Sequence, residues 1–78
     1  MTLDIYFEYE AETQRWIADL AGIPATAPIH VYGPTPELAA SHAKQAALQA
    51  LVWALETGEI KDLDAVIFTI HSPKPAVA

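Results

Sequence analysis

The side chains with chemistry to offer are carboxylates, histidines and two serines. Asp4, Glu8, Glu10, Glu12 and Asp19 gather near the start of the chain. Carboxylates at this density serve general acid–base catalysis or hold a pair of metal ions. Asp4 and Glu8, however, alternate with Leu3, Ile5 and Phe7, which is the pattern of a solvated strand face. His30, His42 and His71 fall in three different elements. They lack the one-turn helical spacing of a metal-binding pair. Ser41 and Ser72 have no neighbouring base to activate them. The glycines, 3 in number and scattered, form no phosphate-cradling loop, and the absence of cysteine removes zinc ribbons and thiol nucleophiles. The expectation is a non-enzyme with no catalytic residue, no cofactor and no metal.

The elements that carry these residues are legible in order. Leu3, Ile5, Phe7 and Tyr9 share one face of a strand, with Asp4, Tyr6 and Glu8 on the other. Glu10 to Gln14 is a polar turn. Arg15 to Leu20 reads as a second strand, joined to the first as an antiparallel hairpin. Gly22, Pro24 and Pro28 mark a loop, because proline cannot donate to a sheet ladder. Ile29 to Tyr32 is a short third strand, ended by Gly33 and Pro34. Thr35 then supplies an N-cap, Pro36 suits the first helical position, and Glu37 favours the positive helix end. From Glu37 to Thr57 the chain is rich in alanine and free of Pro and Gly, so it reads as one long helix stopped by Gly58. Leu63 to His71 returns to strand character. Both of its faces are apolar at the centre, which suits a strand inside a sheet or at an interface.

The predicted fold is α+β: a β-β-β-α-β antiparallel sheet with one long helix packed on it. One domain spans 1–72, and 73–78 forms a flexible C-terminal tail. The chain of 78 residues is near the size where a single core barely suffices, yet 53% of it is apolar and only 18% charged. That excess of apolar residues predicts self-association as a dimer or higher oligomer. The net charge of −6 argues against direct nucleic-acid binding, which needs clustered cations, and favours a basic partner. No targeting segment or membrane span is read, and a cysteine-free small domain fits the cytoplasm.

The helix carries two kinds of apolar surface. Ala39, Ala40, Ala43, Ala46, Ala47, Ala50 and Ala54 form a small-residue face that admits close packing on the sheet. Leu48, Leu51, Val52 and Leu55 form a bulkier stripe at three- and four-residue spacing. This stripe either wraps into the core or serves as a second packing surface. Trp53 fits an interface and a core edge equally, whereas Trp16 reads as core or hairpin cover. The candidate oligomer or partner interface is therefore Leu48, Leu51, Val52, Trp53 and Leu55.

Several segments in order resemble the HicB-like antitoxin family, in particular its short single-domain members. These are Arg15-Trp16-Ile17-Ala18-Asp19, then Ile23-Pro24-Ala25 where the family has Leu-Pro-Gly. Tyr32-Gly33-Pro34-Thr35 follows at the helix start, where the family has Tyr-Gly-x-Thr, and then Glu37 with Ala39. The helix from Gln45 ends in Leu55-Glu56-Thr57-Gly58-Glu59, similar to the family's Leu-Glu-x-Gly-Glu. The resemblance implies a partial ribonuclease H-like fold without its catalytic carboxylates. It implies binding and masking of a small basic HicA-type ribonuclease toxin, as in a bacterial type II toxin–antitoxin system. The DNA-binding segment of longer members has no counterpart after the last strand. The chain departs from the family in Ala25, in a longer loop from Ala25 to Val31, and in Trp53. A stand-alone homo-oligomeric adaptor of the same fold, with no toxin partner, is the alternative.

Overall fold

The computed structural model describes residues 1–24 and 26–72. The family comparison at Ala25 and the expected tail 73–78 lie outside the described residues. The elements run β1 (Thr2–Glu10), β2 (Arg15–Ala21), β3 (Ile29–Gly33), α1 (Pro36–Thr57) and β4 (Ile67–Ile70), so the α+β class and the β-β-β-α-β order hold.

The sheet has the order β3-β2-β1-β4. β1 and β2 form the expected hairpin, with Ile5 opposite Leu20 and Tyr6 opposite Asp19. β3 pairs antiparallel with β2, with His30 opposite Asp19 and Tyr32 opposite Ile17. β4 corrects the wholly antiparallel expectation. It pairs parallel with β1, from Thr2 opposite Ile67 to Ile5 opposite Ile70. The reason is the crossover. A helix between β3 and β4 reverses the chain, so β4 runs in the sense of β3, which is also the sense of β1.

β4 is also shorter than the predicted Leu63 to His71 and lies at the sheet edge rather than inside it. β1 starts at Thr2 opposite Ile67, so residues 63–66 have no strand to pair with. His71 still donates its amide to Ile5 O at 2.9 Å.

The helix ends where its sequence says it should. Thr35 Oγ1 accepts from Leu38 N at 3.1 Å, Pro36 occupies the first turn, and Gly58 closes the helix with φ 82°. Beyond the cap, Ile60 donates its amide to Ala54 O at 3.1 Å, and its side chain is buried.

The core joins Leu3, Ile5, Ala18 and Leu20 of the sheet to Ala39, Ala43, Ala47, Leu51 and Ala54 of α1, with Ile23 and Ile60 from the loops. The alanine face works as expected: small side chains let the helix lie close to the strands, with Ala46 and Ala50 at its margins. Gly33 sets the entry of the helix. A Cβ there would stand 2.5 Å from Ala39 N and 2.9 Å from Ala39 Cα, so only glycine admits this approach of β3 to the first turn.

Candidate functional site

Among the described residues, two surfaces are left without a partner: the outer side of α1, and the sheet face turned away from it. On α1 the structure divides the predicted interface. Leu51 is 2% exposed and belongs to the core, a correction to its place in the candidate stripe. Its position follows the alanine face, four residues after Ala47 and three before Ala54. Leu48, Val52 and Leu55 are between 40 and 54% exposed and form one outward face at i, i+4 and i+7.

Trp53 is 49% exposed but lies on another flank. His42 Nδ1 donates to Tyr32 O at 2.7 Å, which fixes the His42 side of the helix against β3. Trp53, eleven residues on, is three helical turns along that same side. Lys44 Nζ lies 5.9 Å from the Phe68 ring, so the Lys44, Leu48 and Leu55 side leans toward β4. There the sheet edge adds Ile70, 46% exposed, while Ile67, 58% exposed, alternates onto the open face with His71. Ala65 to Ser72 contains no formally charged residue apart from the titratable His71.

The second surface is the open sheet face. Alternation on β1 places Asp4, Tyr6 and Glu8 there, and pairing adds Ile17, Asp19, Ala21, His30 and Tyr32. Ile17 is nearly buried between Glu8 and Tyr32, while Tyr6 is 53% exposed.

Two carboxylate–imidazole pairs lie on this face. His71 Nε2 is 3.0 Å from Asp4 Oδ1, and its ring stacks on Tyr6 with centroids 4.2 Å apart. His30 Nδ1 bonds Asp19 Oδ1 and meets the Tyr32 ring edge-on. Beyond Tyr32, the Arg15 guanidinium carbon lies 3.5 Å from the ring centroid. Arg15 Nε donates to Glu10 Oε1 at 3.1 Å. Thr13 Oγ1 also donates to Glu10 Oε1. The Thr13 hydrogen bond, with help from Arg15, holds the Glu10 carboxyl below its ordinary range.

Two concavities open near these groups. One of about 160 Å³ is lined by Asp4, Tyr6, Asp19, Leu20, Ala21 and Pro28. The other, about 360 Å³ and more open, lies between the hairpin turn and the helix start at Gln14, Arg15, Tyr32, Gly33 and His42. Among the described residues, no group of three or more His, Cys, Asp or Glu converges in a metal-holding arrangement, and no helix is long and apolar enough to cross a membrane.

Spacing alone separates the three histidines and puts the carboxylates on a solvated face, with no sign that two of each pair with one another. Asp19 and His30 are directly opposite once the β2–β3 register is known. Asp4 and His71 meet only through the parallel β4 pairing, 67 residues apart in sequence, and no local signal announces that. No family model matches the chain, and neither a curated protein nor a solved structure matches it.

Proposed function

We propose that the protein is a non-catalytic protein-binding module, resembling a HicB-like antitoxin, that masks a small basic ribonuclease. The observation that carries this reading is the outward face of Leu48, Val52 and Leu55 on α1. Apolar side chains in register on an exposed helix face supply the adhesive part of an interface. The net charge of −6 supports a basic partner, since complementary charge speeds encounter and apolar contact then holds the complex. Inhibition in this scheme is occlusion of the partner's RNA-binding surface.

The second reading is a homo-oligomeric adaptor in the cytoplasm with no toxin partner. It is favoured by β4, a sheet edge whose exposed Ile67 and Ile70 carry no charge to discourage strand pairing.

Affinity purification from the native host, with light-scattering mass on the purified protein, separates the two. A small basic protein recovered in stoichiometric amount, lost with Leu48→Asp, supports the antitoxin reading, provided that co-expression also suppresses its ribonuclease activity. A homo-oligomer without a partner supports the adaptor. A monomer that recovers nothing overturns both.

A further inference from the structure

We propose that the sheet face turned away from α1 receives an arginine side chain of a basic protein partner, seated in the cavity between Asp4 and Asp19. The inference rests on the protein-binding reading above and adds a second surface, with its own recognition chemistry, to the helix stripe.

The cavity, about 160 Å³, has roughly five times the ~30 Å³ share of one liquid water molecule, which is room for the four heavy atoms of a guanidinium. Its polar lining side chains are two carboxylates and a phenol. Asp4 and Tyr6 alternate on β1, and Asp19 stands opposite Tyr6 on β2. Each carboxylate uses Oδ1 for its own imidazole, His71 or His30. Among the described residues neither Oδ2 has a protein donor. A guanidinium is planar, presents five donors in a fork, and stacks on aromatic rings. Ala21 and Pro28 give its aliphatic stem apolar contact.

The same face already holds one arginine by this chemistry. Arg15 lies over the Tyr32 ring at 3.5 Å and bonds Glu10 at 3.1 Å. Asp4, Tyr6 and Asp19 offer the same components, carboxylate and aromatic ring, further along the same pair of strands.

Charge decides the class of occupant. With Asp4, Glu8 and Asp19 on the face, a nucleic-acid backbone is repelled. A second copy is a poor occupant, because the chain's only arginine is Arg15, already engaged with Glu10 and Tyr32. The occupant is therefore a different, cation-rich protein. Lysine, a point charge on a flexible stem, matches two carboxylates beside a ring less well than arginine does.

The test is a titration of the isotope-labelled full chain with an oligo-arginine peptide, and with oligo-lysine of equal length, read by amide chemical shifts. Shifts are expected to centre on Tyr6, Asp19 and Ala21, with oligo-arginine the tighter ligand. Asp4→Asn and Asp19→Asn should each weaken oligo-arginine binding about tenfold, as loss of a charge-assisted bond does. Glu56→Gln and Glu59→Gln, equal in charge change but at and just past the C-terminal end of α1, across the sheet from the cavity, should weaken it less than about twofold, the remainder being screened. Ala21→Gln, which obstructs the cavity without changing charge, covers the case in which an Asp variant misfolds, and it too should weaken binding. Equal weakening by the Glu56 and Glu59 variants, equal affinity for lysine, or shifts centred on α1 would each overturn the arginine seat. Those results leave the helix-stripe reading standing, since it is decided by partner recovery with Leu48→Asp; failure of that recovery leaves the peptide result intact.

Discussion

Gly33 and Ala39 stand so close that a Cβ on Gly33 would come within 2.5 Å of the Ala39 amide nitrogen. Backbone meets backbone there, and neither side has a flexible group that can give way. Gly33→Ala is expected to lower stability by about 1–3 kcal/mol, the usual cost of forcing extra atoms into a packed site. Urea unfolding followed by tryptophan fluorescence measures it. An unchanged midpoint would show that β3 and α1 separate at little cost.

Leu48 and Leu51 differ by less than one helical turn, yet their exposures are 49% and 2%. Leu51→Ala should cost about 2–5 kcal/mol, because it opens a cavity in the core. Leu48→Ala should stay within about 0.5 kcal/mol. Leu48→Asp should keep the fold while abolishing self-association or partner capture, checked by circular dichroism and light-scattering mass. Global unfolding by Leu48→Asp would place that side chain in the core.

Thr35 caps α1 through its Oγ1 bond to Leu38 N at 3.1 Å. Thr35→Ala should cost about 1 kcal/mol, and Thr35→Ser or Thr35→Asp should restore most of it. Thermal unfolding of the three variants checks the order. If Thr35→Asp is as weak as Thr35→Ala, the cap contributes through packing and not through the hydrogen bond.

Glu10 titrates below its ordinary value, chiefly through the Thr13 hydrogen bond and then through Arg15. Its folded-state pKa is depressed, so its contribution is present above the unfolded value and lost as pH falls through the folded one. Wild-type stability should therefore decline on acidification through and below the ordinary carboxylate range. Glu10→Gln should flatten that part of the profile, and Thr13→Val and Arg15→Gln should each flatten it in part. Equal pH profiles for wild type and Glu10→Gln would remove Glu10 from the hairpin's pH dependence.

His71 fastens the edge strand to β1 through its amide on Ile5 O, its bond to Asp4 and its stack on Tyr6. His71→Ala should speed hydrogen exchange in β4 while β2 and β3 keep their protection. The global cost should be about 0.5–1.5 kcal/mol, the scale of one aromatic pair. Uniform loss of protection across the sheet would mean that β4 does not open separately.

The sequence by itself determined the parts of this protein that rest on local rules. Leu3 to Tyr9 alternates, so β1 and its two faces were legible. Thr35, Pro36 and Gly58 bracket α1, and the alanines between them identify the face that packs. Each of these depends on residues within a few positions of one another. The tertiary structure alone decided what depends on direction and register. β4 runs parallel to β1 because the helix reverses the chain, and with it His71 reaches Asp4 and Tyr6. Helix periodicity left Leu48, Leu51, Val52, Trp53 and Leu55 as one candidate group. Only the orientation of α1, set by Gly33 against Ala39 and by His42 at Tyr32, buries Leu51 and leaves Leu48, Val52 and Leu55 outward. The open-face cavity is likewise a product of register: Asp4, Tyr6 and Asp19 are adjacent only because two strands pair with Tyr6 opposite Asp19.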